Sequence, residues 1–237
     1  MSVQFFCLHH PDLRTRKRRM LKQFARQSMD VEWIEGFHPR DSAAWDVGPT
    51  ECSTLELSVA LKHREAFQRQ VSRAAKVAVV LEDDVELPDG FPALLEGWLA
   101  EFDSLHGDLL MIGTCFDIHA PETVPGRSVY CGPGFRTRCA HAYAVTLKAS
   151  EAILPRLDEI PEAIDHYLNK VVADLGLRIC YVEPGIEQLT HRRELVSAIQ
   201  LRRRRTYRLQ VLKRRTKREL RLLAGAARRF ARRFPGA

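Results

Sequence analysis

Lys76-Val77-Ala78-Val79-Val80-Leu81-Glu82-Asp83-Asp84-Val85 decides how the rest of the chain is read. Five apolar residues, three of them β-branched, run straight into three consecutive carboxylates. A short unbroken apolar run suits a strand buried on both faces, as in a parallel α/β sheet. Carboxylates are rarely buried unless paired or bound to metal, so these three belong where the strand leaves the sheet. Ligands of open α/β sheets bind at the carboxyl ends of the strands. Adjacent carboxylates repel unless a cation lies between them, and hard cations such as Mg²⁺ or Mn²⁺ take oxygen ligands together with substrate phosphates. The plainer alternative is an acidic turn closed by Pro88-Asp89-Gly90.

Outward from this strand the chain alternates. Residues 3–8 read as a first strand, broken by His9-His10-Pro11-Asp12. Residues 14–27 read as a basic helix with Leu21, Phe24 and Ala25 facing inward, set either to hold a phosphate or to face solvent. Residues 31–35 alternate like a second strand. Residues 54–67 carry a helical apolar stripe that Thr54 would cap. After the central strand, 91–102 predicts an amphipathic helix and 108–113 a buried strand. Residues 114–135, rich in Gly and Pro, predict a long functional loop. A strand over 140–147, helices over 150–156 and 161–175, and a strand over 177–182 stopped by Glu183-Pro184-Gly185 complete the body. This order predicts a mostly parallel α/β sheet flanked by helices.

The charge is divided. Of 37 Lys+Arg and 30 Asp+Glu, residues 192–233 hold 17 basic and 2 acidic side chains. The rest holds 20 basic and 28 acidic, so a mildly acidic body carries a strongly basic tail. In that tail Leu209, Leu212, Thr216, Leu220, Leu223, Ala227, Phe230 and Phe234 fall at spacings of three and four, which predicts an amphipathic basic helix. Residues 1–191 are expected to be one domain and 192–237 a helical appendage. A helix of this kind suits an anionic membrane surface. Its few aromatics offer no stacking platform for nucleic acid. No apolar run is long enough to span a bilayer, and the N-terminus lacks the design of a signal peptide, so a cytoplasmic enzyme at the inner face of the membrane is expected. The six cysteines are scattered, without Cys-x-x-Cys, and read as reduced thiols.

Leu61-Lys62-His63, Val80-Leu81-Glu82-Asp83-Asp84-Val85, and Ala163-Ile164-Asp165-His166 with Tyr181-Val182-Glu183-Pro184 together resemble glycosyltransferase family 25, the lipopolysaccharide and lipooligosaccharide sugar transferases. The resemblance covers roughly residues 3–199, and the Glu-Asp-Asp-Val strand is its most specific piece. It implies a GT-A (Rossmann-like) fold, a nucleotide-sugar donor with UDP-galactose foremost, a divalent Mn²⁺ or Mg²⁺, and inverting transfer of a hexose to a glycan or glycolipid acceptor. On that reading Glu82 and Asp84 serve as an Asp-x-Asp-like pair around the metal, with His191 as a third ligand. Asp165 is the base for the acceptor hydroxyl and Asp83 the reserve. Leu8, His9, Lys62, His63, Glu82, Thr137, Arg138 and Gln188 would line the donor. Lys62 departs from the family, which usually has Ser before His63. Two competing functions are another metal-dependent phosphate-transfer enzyme, such as a nucleotidyltransferase, and a non-catalytic adaptor for membranes or nucleic acid.

Overall fold

The structure is a computed structural model and describes residues 2–113, 124–131 and 140–188. Eight strands form one sheet in the order β2-β1-β3-β7-β5-β8-β4, with β6 also pairing β8. They are β1 (Val3–Leu8), β2 (Glu32–Ile34), β3 (Val77–Glu82), β4 (Val85–Glu86), β5 (Leu109–Gly113), β6 (Val129–Cys131), β7 (Ala142–Thr146) and β8 (Ile179–Gln188). The helices are α1 (Arg14–Arg26), α2 (Thr54–Ser72), α3 (Phe91–Ser104), α4 (Leu147–Ile153) and α5 (Ile164–Asp174). β2, β1, β3, β5 and β8 run one way; β4, β6 and β7 run against them. The sheet is therefore mostly parallel, and the architecture is Rossmann-like.

The quoted stretch behaves as its composition requires. Val77 to Leu81 are all fully buried. Ala78 and Val80 join Phe6, Leu8, Ile34, Leu61 and Phe67 in the core under α2, α4 and α5. Val77, Val79 and Leu81 join Cys7, Met20, Phe24, Leu95 and Phe102 in the core under α1 and α3. A strand covered on both faces has no polar side to show, which is why its sequence is a run and not an alternation. Each of the Val, Leu, Ile, Phe and Met side chains among them contributes about 1.5–3 kcal/mol through burial.

Several boundaries differ from the sequence expectation. α2 is capped by Ser53, not Thr54: the Ser53 hydroxyl accepts from the Glu56 amide at 3.3 Å, and the Glu56 carboxylate accepts from the Ser53 amide at 2.9 Å. The inward face of α1 is Arg16, Met20, Gln23 and Phe24; Leu21 and Ala25 are exposed. Gln23 fixes that rotation, since its amide donates to the Val85 carbonyl at 3.1 Å and accepts from the Leu87 amide at 2.8 Å. β8 does not stop at Pro184 but runs on to Gln188, because β5 and β4 offer its last residues partners.

The stretch 114–135 is not loop throughout. It contains β6, antiparallel to β8, with Cys131 opposite Cys180. Those two cysteines form a disulfide, their Cα atoms 4.1 Å apart. The reading of six reduced thiols is thus corrected, and the cysteines no longer argue for a reducing compartment. Among the described residues no helix is long and apolar enough to cross a membrane. The tail and the boundary proposed at 191 lie outside the described residues.

Candidate active site

From β1 the chain goes outward through α1 to β2, then returns through α2 to β3 on the other side of β1. The topological switch point therefore lies between β1 and β3, and such a crevice at the carboxyl ends is where ligands bind in doubly wound sheets. Leu8 and Glu82 are register partners at this edge. Leu8 is a core side chain, but His9 follows it and Asp83 and Asp84 follow Glu82, so the crevice is lined by a histidine and three carboxylates.

The cation between the carboxylates is Arg16. Its guanidinium donates to Asp83 Oδ1 at 2.9 Å and to Asp84 Oδ2 at 3.0 Å. His9 Nδ1 lies 2.6 Å from Asp83 Oδ2, which also accepts from the His10 amide at 3.4 Å. Gln188 donates to Asp84 Oδ1 at 3.0 Å. All four oxygens of Asp83 and Asp84 thus have protein partners. Burial pushes Asp83 up, but the hydrogen bond to His9 and the charge of Arg16 outweigh it and hold the carboxyl below its ordinary value. Asp84, buried and beside Asp83, stays above its ordinary value despite Arg16.

Glu82 is the carboxylate with an open face, its side chain about a quarter exposed at 25%. Burial of the carboxyl, then the charges of Asp84, Asp83 and Asp165, push its pKa well up. Asp165 stands in the first turn of α5, half-buried. Its Oδ1 accepts from the His166 amide at 2.9 Å. Burial also raises Asp165 above the ordinary carboxylate value. Its charge adds to the upward push on Glu82.

The floor is made by α2. His63 is fully buried, and its Nδ1 lies 2.9 Å from the Tyr143 hydroxyl, on the antiparallel strand beside β3. Its Nε2 lies 3.8 Å from Glu82 Oε1. Burial, helped by the charge of Lys62, lowers His63 to about 3. Lys62 is buried as well and donates to Ser58 Oγ at 2.8 Å. At the neighbouring strand end, a side chain at Gly113 would collide with the ring of His141, so only glycine lets β5 close against β7 there.

The His63 shift has a testable consequence. Below about pH 6.5 the unfolded chain binds a proton on this imidazole that the native chain refuses, so stability falls as pH drops from 6.5 towards 3. The slope from one such group is at most about 1.4 kcal/mol per pH unit. His63→Gln removes it while keeping an amide beside Tyr143. Urea unfolding of both proteins between pH 7 and 4.5 is expected to give the variant the shallower decline; parallel curves would show that His63 titrates normally.

Of the residues expected from sequence, His9, Lys62, His63, Glu82, Asp83, Asp84 and Gln188 gather at this crevice, and Asp165 stands in the first turn of α5. Thr137, Arg138 and His191 lie outside the described residues. Arg16 was not among the expected site residues; the one signal for it was the need of three adjacent carboxylates for a counter-charge. The Mn²⁺ or Mg²⁺ that the resemblance implies finds one ready ligand here, Glu82, since Asp84 is held by Arg16 and Gln188. A site with one or two carboxylates completed by substrate phosphates suits such cations. A second group, His10, Asp12 and His38, brings its ligand atoms within 4.8 Å of one another at the rim. His38 Nδ1 accepts from the Arg40 amide at 3.1 Å and His10 Nδ1 from the Asp12 amide at 3.3 Å. Each ring then carries its proton on Nε2, which suits the contact of His38 with Asp12 better than an ion.

No family model matches the chain, and no curated protein matches it. Among solved structures, the crystal structure of a glycosyltransferase involved in the glycosylation of the major capsid of PBCV-1 aligns at 12% identity over 75% of this chain and 77% of that chain, with a TM-score of 0.41.

Proposed function

We propose that this chain is a glycosyltransferase that moves a hexose from a nucleotide-sugar to an acceptor hydroxyl with inversion. UDP-galactose is the first donor to test and a glycan of the lipopolysaccharide or lipooligosaccharide type the first acceptor. The observation that carries the reading is the crevice at the β1/β3 switch point, where Glu82 keeps an open face at the end of β3 beside charge-compensated Asp83 and Asp84.

In the reaction the acceptor oxygen bonds to the anomeric carbon on the face opposite the diphosphate. The carbon–oxygen bond to the diphosphate breaks, and its electron pair leaves with the nucleotide. The hydroxyl proton goes to a base, for which Asp165 is proposed, its carboxylate half-buried in the first turn of α5 with Oδ1 accepting from the His166 amide. Glu82 and, once freed from Arg16, Asp84 would hold the divalent cation, which when bound would neutralise charge on the departing diphosphate. Arg16 and His9 hold Asp83 in place and fix the end of β3 against the loop after β1.

The test is nucleoside diphosphate release by the purified chain from a panel of nucleotide-sugars with a glycan acceptor, with Mn²⁺ and with EDTA. One donor is expected to turn over. Nucleotide rather than sugar on the product would make the chain a nucleotidyltransferase, and calorimetry showing no donor bound across the panel would overturn the reading.

The basic tail is proposed to hold the enzyme at an anionic membrane face, where each of its 17 basic residues can add about 1 kcal/mol of attraction near the surface. Removing residues 200–237 is expected to leave transfer to a soluble acceptor intact and to abolish sedimentation with phosphatidylserine vesicles. Equal sedimentation of both forms would refute the proposal.

A further inference from the structure

Lys62 is 2% exposed, yet its ammonium has no ion-pair partner among the described residues. Its one hydrogen bond there runs to Ser58 Oγ at 2.8 Å, and Ser58 in turn donates to the Phe37 carbonyl at 2.6 Å. Two carboxylates act on it from a distance. Asp83 is held by His9 and Arg16, and Glu82 makes no ion pair with Lys62 among the described residues. Burial lowers Lys62 to about 8 against the pull of those two charges. A buried, unpaired cation is a cost that packing does not require, since methionine would fill the same space.

Its surroundings say what it faces. Phe37 follows β2, His10 follows β1 and feels the charge of Lys62, and Glu82 and Asp83 end β3. The ammonium is thus tied to the end of β2 through Ser58 and Phe37, and the next residue of α2, His63, faces Glu82 at the end of β3, which places Lys62 beside the switch-point crevice. Two of its three protons have no acceptor among the described residues. An ammonium with two protons to give and no direct ion pair among the described residues can donate to an oxygen of an anion. It is also built to persist, because Ser58 and the Phe37 carbonyl hold it from below.

We propose that Lys62 is the anion anchor of the crevice and takes an oxygen of the donor's diphosphate. The inference rests on the nucleotide-sugar reading above and gives it a specific residue. No proton need move: when the bond from the anomeric carbon to the diphosphate breaks, the electron pair stays on the leaving oxygen, and the fixed charge of Lys62 stabilises it. A positive charge already in place makes recognition of the diphosphate independent of added metal.

The experiment is calorimetry in EDTA with uridine, UMP and UDP, and with the guanosine and adenosine series. The wild-type chain is expected to prefer one diphosphate over its nucleoside by about tenfold to a hundredfold, the worth of a hydrogen bond to a charged group. Lys62→Met is expected to lose that preference while binding the nucleoside unchanged, and to melt at a higher temperature than wild type. Lys62→Arg is expected to retain the preference. A Lys62→Met protein that still separates diphosphate from nucleoside would overturn the anchor and leave the donor reading standing. Failure of every diphosphate to bind the wild-type chain would overturn the donor reading and the anchor with it.

Discussion

Replacing Arg16 with methionine is expected to cost the fold about 3–5 kcal/mol at neutral pH, the penalty for removing one partner from a buried ion pair. Arg16 lies between Asp83 and Asp84 with its side chain 9% exposed, and those carboxylates are 7% and 2% exposed. Methionine keeps the volume and the helix propensity of α1 but leaves two neighbouring charges facing each other out of water. The loss should shrink towards pH 5, because a carboxyl freed of its cation takes a proton at higher pH. A divalent cation should then bind where the guanidinium was, so millimolar Mn²⁺ is expected to raise the melting temperature of the variant more than that of wild type. Urea unfolding and thermal melts read both effects. A loss below about 1 kcal/mol, with no gain from Mn²⁺, would show that the triplet is solvated and not locked by Arg16.

This pair of features marks how far the sequence could be read. The central strand was legible because five buried residues in a row leave few other structures open. The carboxylates were legible as a site because charge cannot stay inside the sheet. Their counter-ion was not, since hydrophobic periodicity looks for apolar residues on the inner face of a helix. On α1 that face carries Arg16 and Gln23 beside Met20 and Phe24, so apolar periodicity runs the stripe through Leu21, Phe24 and Ala25, of which Phe24 alone is buried. Short strands escaped for a related reason. β4 and β6 have 2 and 3 residues, too few to show a period, yet β4 brings Gln188 to Asp84 and β6 brings Cys131 to Cys180. Pro184 read as the end of a strand because proline cannot donate to a ladder. The chain keeps its strand there, and the extra residues are what carry Gln188 into the site. The antiparallel insertion of β7 between β3 and β5 has no local signature, because strand direction is set by connections and not by composition.

Asp165→Asn is expected to lower turnover by about 10²–10⁴, the usual worth of a positioned general base, while leaving nucleotide binding within a factor of about three. The amide keeps the shape and the acceptor oxygen for the His166 amide but cannot take a proton. Asp83, the other candidate, is excluded from that role by its partners: His9 and the His10 amide occupy one oxygen and Arg16 the other. Asp83→Asn should therefore weaken the fold and leave the pH profile of the surviving activity where it was. The profile separates the two. A base works only when ionised, and burial places Asp165 above the ordinary carboxylate value, so kcat/KM should rise with pH along a limb displaced upward from about 3.9. The folded carboxyl is harder to ionise than the unfolded one, so the same group makes the native chain slightly less stable as pH climbs through that range. Activity and stability should thus move in opposite directions with pH at this one residue, a pattern that a helix-capping carboxylate would not give. An Asp165→Asn enzyme with unchanged turnover, or a limb that survives the substitution, would assign the base to another side chain, and Glu82, with its pKa also raised, would be the next to replace.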